Sequence, residues 1–397
     1  MNVNPIAWAA STLRLFTRID NDGVNTTVPV TEIKELPIGV PNMDIALLAK
    51  GTGATLAQVP DGAIAGGNKR GPGATDWQKV RDSASQVASA QNGTIAGGSY
   101  NTASGSTRFA PTIGGGERNL ASSDYATVAG GTSNTASSSS SFVGGGASNT
   151  ASTSSYATVC GGNGNTASGT YATVCGGNGN TASGTNSFIG GGQSNIASGS
   201  RAAVSGGFTN NASATSATIA GGDNNIANGT GSFVSGGYRG TTRGITGYHV
   251  FPACNEPIAA ASGVTQSALL LLGRQTTDAT ATVLASNSSA AATSNQVTLP
   301  NNSAYSFSGE VIAGVTGAGD SARWTINGAI KRGANAASTA MVGTPTVTMT
   351  HSDAGAATWV VAVTANTTLG CITVTVTGAA ATTIRWVCRI DTTEMTY

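Results

Sequence analysis

The chain has 397 residues with 19 Lys+Arg against 18 Asp+Glu, and only 9% of it is charged and 5% aromatic. A balance so near zero, with no clustered Lys/Arg, excludes a basic nucleic-acid-binding arm. It also differs from chains that stay unfolded through high charge. The 56 Gly and 11 Pro form no Gly-X-Y run, so collagen is excluded. What remains is a Gly/Ala/Ser/Thr/Asn-rich chain suited to β-structure with many tight turns.

Along the chain, 16 of the 37 charged residues fall in the first 82, seven in 97–240 and 14 in 241–397. The middle holds 32 of the 56 Gly and one Pro, Pro111. These shifts divide the chain into a mixed segment (1–60), a lead-in (61–94), a repeat array (95–240), a short linker (241–250) and a C-terminal domain (251–397). Trp8, Ser11, Thr12 and Arg14 interrupt any apolar leader region. The longest apolar run, Ala268–Gly273, is far below the roughly 18 residues of a spanning helix, so no membrane insertion is expected. Five Cys form no CxxC pair and two His lie 102 positions apart, so neither a metal site nor a cofactor is expected. The odd Cys count suits free thiols made in a reducing cytoplasm.

The repeat reads N-T-A-S-G-x-Y-A-T-V-x-G-G-x-x. Asn marks it at 101, 119, 134, 149, 165, 180, 195, 210 and 225, mostly 15 residues apart. A β-branched anchor keeps step at Ile95, Ile113, Val128, Val143, Val159, Val174, Ile189, Val204, Ile219 and Val234. Fifteen residues are too few for a two-helix repeat. They suit one coil of a narrow β-solenoid, with two strands of about five residues stacked at about 4.8 Å per coil. Asn in one register predicts stacked amide ladders. Two residues before the anchor stands Ala or Ser, so the interior is thin. One residue before it stands Phe at 142, 188 and 233, always followed after the anchor by Gly144, Gly190 or Ser235. Large beside small on this second face predicts contact with another chain, and a homotrimer is a natural closed arrangement.

From about 250 the pattern changes to alternating strands. Ile372, Val374 and Val376 share one face; Trp359, Val361 and Val363 alternate likewise, as do Ile384, Trp386, Cys388 and Ile390. Turn clusters at 316–320 and 331–335 separate such runs, which predicts a jelly-roll-like β-sandwich.

Residue chemistry offers little for catalysis. Adjacent His351, Ser352 and Asp353 cannot form a relay. The carboxylates Glu256, Asp278, Glu310, Asp320, Asp353, Asp391 and Glu394 are scattered, where glycan hydrolysis needs a pair about 5–10 Å apart. No catalytic residue is therefore assigned, and the chain is expected not to be an enzyme. Sugar recognition needs an aromatic face with nearby donors, which singles out Arg323, Trp324 and Lys331 as the candidate receptor-binding cluster.

The string Ser-Tyr-Ala-Thr-Val-Cys-Gly-Gly-Asn-Gly-Asn-Thr-Ala-Ser-Gly at 155–169 resembles the repeat of YadA-like head domains, the left-handed parallel β-roll of trimeric adhesins. Ala65-Gly-Gly-Asn-Lys-Arg-Gly71, Asp76-Trp77 and Ala84-Ser-Gln-Val-Ala-Ser89 are similar to the lead-in of β-roll bacteriophage tail fibres. Leu299-Pro-Asn-Asn-Ser-Ala-Tyr-Ser-Phe307 with Thr382-Thr-Ile-Arg-Trp386 is similar to C-terminal domains of phage fibre proteins. The resemblance implies an all-β trimeric tail fibre of a virion, synthesised in the host cytoplasm. Its N-terminus would join a phage tail adaptor or baseplate protein. Its C-terminal domain would recognise a host surface glycan, lipopolysaccharide or capsule. A tailspike glycan depolymerase and a capsid-attached fibre or decoration protein are the alternatives.

Overall fold

The computed structural model describes residues 16–19, 30–33, 55–58, 60–105, 110–255, 258–317 and 319–397, the first two segments as backbone alone. It is all-β, a β-solenoid of about 11 turns with almost no helix. Two units, Met1–Asn165 and Thr166–Tyr397, are described separately. Most of the expected attachment segment lies outside the described residues. Within it Phe16–Ile19 pairs antiparallel with Val30–Ile33.

In the first unit Thr75–Asp76, Thr94–Ile95, Thr112–Ile113, Thr127–Val128, Phe142–Val143 and Thr158–Val159 stack in one parallel row. A second row runs through Thr102–Ala103, Leu120–Ala121, Thr135–Ala136 and Thr150–Ala151. Single-residue bridges from Ser99 through Glu117, Thr132 and Ala147 to Asn163 make a third. The strands are thus two residues long, not five, because Gly-rich corners turn the chain three times per coil. Inside, Val128, Val143 and Val159 are fully buried, as are Ala126, Ala157 and the Ala of each Asn-Thr-Ala step.

The Asn ladder is real but is mostly bonded to the backbone. Asn134 Nδ2 donates to Gly130 O at 2.9 Å and to Gly146 O in the next coil at 3.0 Å, and its Oδ1 accepts from Asn149 N at 2.9 Å. Buried corner groups are thereby satisfied without water, which a charge-poor coil requires. The lead-in closes the open end of this ladder. Gln78 Oε1 accepts from Asn101 N at 2.9 Å, and its Nε2 donates to Asn101 O at 2.8 Å. Asp76 pairs in register with Ile95 and so occupies an anchor position. Its buried carboxylate lies between Arg70 Nε at 2.8 Å and Arg81 Nη2 at 3.2 Å. Burial is the largest influence on the Arg70 guanidinium and lowers its pKa, against the opposing pull of Asp76.

The second unit repeats the coil from Thr166. Thr173–Val174, Phe188–Ile189, Ala203–Val204, Thr218–Ile219 and Phe233–Val234 form its anchor row, with Val174, Ile189, Val204, Ile219 and Val234 all fully buried. Phe142 in the first unit and Phe188 in the second are 39% and 41% exposed. A Cβ added to Gly144 would lie 2.2 Å from Cys160 O and 3.3 Å from Phe142 Cε1; at Gly190 the first contact would be Ser205 O at 2.3 Å. At these two positions the small residue therefore has a cause inside the single chain. The carbonyl of the next coil approaches too closely for a side chain, and the Phe ring lies over the space left.

His249–Pro252 pairs parallel with Phe233–Val234 and antiparallel with residues 266–269. One strand thus belongs to both the last coil and the C-terminal domain. Residues 241–250, expected as a linker, are built in: Thr242, Ile245, Tyr248 and Val250 are buried.

The C-terminal domain has a large antiparallel sheet in the order His249–Pro252, Thr265–Thr276, Ile384–Thr396, Ser303–Val315, Ser321–Arg332, Thr346–Ser352. A smaller sheet centres on Cys371–Thr377, flanked by Val360–Asn366 and by two short strands, Thr282–Val283 and Val297–Thr298. Period-2 alternation sends Leu270, Leu272, Phe307, Val311, Ile326 and Ile390 inward. Trp386 touches both Trp324 and Trp359 at centroid distances of 5.6 Å, which ties the two layers together.

Candidate functional site

The strand Ser321–Arg332 places the three candidate binding residues, and alternation separates them. Trp324 points inward, 3% exposed against Trp386, so its ring is core and not a surface platform. Arg323 and Lys331 point outward but stand eight residues apart, about 27 Å along one strand. Arg323 pairs with Glu310, whereas Lys331 lies opposite Ala304 and Ala340. The three do not form a single site.

Around Arg323 the outer face is organised by register. Ile312 lies opposite both Arg323 and Val387, and Leu271 opposite Arg389. Leu271, Ile312 and Val387 are 48–56% exposed, bordered by the Arg323–Glu310 pair and by Arg389–Asp391 at 3.0 Å. The same alternation puts Asp391 and Glu394 on opposite faces of their strand, so these neighbouring carboxylates do not converge.

One pair of carboxylates does share a turn. Asp353 Oδ2 accepts from Ser321 N at 2.9 Å and from Ser321 Oγ at 3.0 Å. Asp320 lies against the same turn, where a Cβ added to Gly355 would meet its Oδ2 at 2.0 Å. His351 pairs with Arg323 across the strands, not with Asp353. Among the described residues no three or more His, Cys, Asp or Glu gather as for a metal ion, and no helix is long and apolar enough to cross a membrane.

Sequence reasoning missed a buried polar cluster where the coils meet the large sheet. Glu394, 1% exposed, pairs with Arg243 and accepts from the Tyr248 hydroxyl. It also accepts from Gln266 Nε2 at 2.7 Å and from Thr392 Oγ1 at 2.9 Å. Burial, then the Glu394 charge, holds the Tyr248 phenol well above its usual pKa. Burial, the largest single influence, would lower the Arg243 guanidinium, but Glu394, Tyr305 and Tyr248 together outweigh it and the net shift is upward. The signal was present: carrying the inward parity of Trp386, Cys388 and Ile390 four residues further places Glu394 inside.

A recess of about 450 Å³ opens beside the Thr265–Thr276 strand, with Leu271, Leu272, Arg274, Gln275, Ser286 and Asn287 in its lining. The strand is paired with His249–Pro252 only as far as Leu269, and beyond that Gly273 alone bridges to Ala285.

No protein-family model and no curated protein matches the chain. Solved structures similar to it include two phage tailspikes. One is a tailspike protein of Acinetobacter baumannii bacteriophage Fri1, described as a capsular polysaccharide depolymerase; it is 8% identical over 82% of this chain and 71% of that one, with a TM-score of 0.20. The other is the tailspike protein of Acinetobacter phage vB_ApiP_P1, 10% identical over 87% of this chain and 80% of that one, with a TM-score of 0.19. The expectation that the chain is not an enzyme meets a contrary finding, since one of these similar structures is described as a depolymerase, a description that belongs to the Fri1 protein. At these TM-scores no residue of this chain takes a role from either protein.

Proposed function

We propose that this chain is a phage tail fibre or spike subunit that binds a host surface glycan through its C-terminal sandwich. The observation that carries the reading is the change of surface at the shared strand His249–Pro252. Before it, coil after coil presents a repeating, charge-poor surface of small side chains and half-exposed Tyr and Phe rings. After it stand a recess, irregular loops and an outer face carrying both apolar and charged groups, and such loops on a rigid scaffold are where recognition sits. The repeat's resemblance to YadA-like heads and the half-exposed phenylalanines support assembly as a homotrimer, with the N-terminal segment joining a tail adaptor or baseplate protein and the sandwich, jelly-roll-like, at the host side.

One local observation favours glycan cleavage as a second reading: Asp320 and Asp353 approach the same turn. A single experiment addresses both. The full chain is incubated with cells of candidate hosts and with their purified surface polysaccharides, and adsorption and new reducing ends are measured. Saturable adsorption competed by the polysaccharide is expected. Adsorption to none of the hosts would overturn the binding reading. Reducing ends that persist in Asp320→Asn and Asp353→Asn would overturn the assignment of cleavage to this pair.

A further inference from the structure

Arg274 is a cation that the protein fixes in place without neutralising. Its Nε donates to Val283 O at 3.3 Å, its Nη1 to Asn287 O at 3.2 Å, and its Nη2 to Ser289 O. All three partners are neutral carbonyls. A guanidinium has five N–H donors, so two remain. Close by, Arg385 Nε donates to Gln275 Oε1 at 3.2 Å, again to a neutral acceptor. Arg323 and Arg389, by contrast, have carboxylate partners in Glu310 and Asp391.

The rest of the recess suits a sugar. Leu271, 56% exposed on the outer side of the strand edge, makes part of the lining apolar. Gln275, Asn287 and Ser288 provide polar groups at the lining, and the buried hydroxyl of Ser286, another lining residue, has no hydrogen-bond partner. A mostly apolar wall with a few convergent polar groups and one fixed charge is the usual form of a small-ligand site. A guanidinium with N–H donors to spare favours a carboxylate over a neutral hydroxyl.

We infer that the recess at Arg274 is a subsite for a carboxylate-bearing sugar residue of a surface polysaccharide. This rests on the glycan-binding reading above and names the chemistry it selects. Arg274 takes the carboxylate, and the polar groups of Gln275, Asn287 and Ser288 at the lining meet the ring hydroxyls.

The test uses the full chain and a panel of acidic bacterial capsular polysaccharides. Each polymer is presented intact and after carbodiimide-mediated reduction of its carboxyl groups to neutral sugars, and binding is measured by biolayer interferometry. For the polymers that bind, reduction is expected to weaken binding at least tenfold. Arg274→Met is expected to cause a similar loss with the intact polymer and little further loss with the reduced one. Arg274→Lys, which keeps the charge, should retain part of the binding, and melting curves of both variants check the fold. Polymers that bind equally before and after reduction would overturn the inference while leaving glycan binding standing, as would an Arg274→Met chain that melts normally and still prefers the intact polymer. Binding to no polymer in either form would overturn the glycan-binding reading and the subsite together.

Discussion

Truncating one rung of the asparagine ladder tests whether these side chains hold the coils together. Asn195 is fully buried. Its Nδ2 donates to Gly191 O at 3.0 Å, Gly207 O at 2.8 Å and Asn180 Oδ1 at 3.1 Å, and its Oδ1 accepts from Asn210 N at 3.0 Å. In Asn195→Ala, Gly207 O keeps Gln193 N as a donor and Asn180 Oδ1 keeps Asn195 N. The severe loss is the Asn210 N–H, left buried without its acceptor. Such an orphan costs about 1–3 kcal/mol, and the lost bond to Gly191 adds about 1 kcal/mol. With the small void left behind, the expected cost is about 3–5 kcal/mol per chain. The assay is urea denaturation followed by circular dichroism, with Gln193→Ala as an exposed neighbour that should cost under about 0.5 kcal/mol. Asn195→Asp keeps the acceptor but turns a carboxylate toward two carbonyls, which raises its folded pKa. Its penalty should be absent below the unfolded value of about 3.9 and grow as pH rises. An Asn195→Ala chain as stable as Gln193→Ala would refute the reasoning.

Glu394→Ala should cost about 3–5 kcal/mol, because it strands the Arg243 cation and the Tyr248 hydroxyl in the interior; thermal melting checks this, and a loss below about 1 kcal/mol would show that water replaces the carboxylate. Burial pushes the Cys388 thiol up to about 12 and the Cys371 thiol up to about 11, so both should resist a thiol-specific disulfide reagent in the native chain while exposed Cys160 and Cys254 react. Because those folded values are raised, the stability linked to them is complete below about pH 9 and falls as pH climbs toward 11–12; Cys388→Ala should flatten that alkaline decline of the melting temperature, and an unchanged slope would count against it. Phe188→Ala separates a lone chain from an assembly: a half-exposed ring is worth about 1 kcal/mol, a ring covered by partner chains about 3–5 kcal/mol. The homotrimer proposal requires the larger value and a hydrodynamic mass well above that of one 38.9 kDa chain.

The coil was legible in the sequence because it repeats. Ten anchors in step fixed the interior, and all eight from Val128 to Val234 are fully buried. What periodicity could not supply was how closely the next coil's carbonyl approaches each side-chain position. The glycine after Phe188 therefore looked like room made for a partner chain, when the carbonyl of Ser205 already fills the space. In the C-terminal domain, alternation placed Trp359 and Trp386 correctly inside. Trp324 obeys the same rule with Ala322 and Ile326, but flanking Arg323 drew attention to the charge and away from the parity. Arg274 was invisible as a site because its environment is made of main-chain carbonyls from residues 283–289, which no side-chain motif records. Glu394 was hidden for a related reason: its partners Arg243, Tyr248 and Gln266 lie 128 to 151 positions away.

The strand His249–Pro252 also limits how such a chain can be recombined. Where two domains meet through a free connector, a new head can be spliced on at almost any point of it. Here a crossover at residue 250 would divide four residues whose neighbours on one side are Phe233–Val234 and on the other 266–269. The incoming head would also have to bring partners for Arg243 and Tyr248, since Glu394 would leave with the old one. A tolerated exchange point lies further upstream, where one coil resembles the next and the Asn and anchor positions are interchangeable. Heads of unrelated sequence could then travel together with the last coil of the repeat, and a hybrid cut within 165–225 at matching registers would keep both halves of the seam from a single parent.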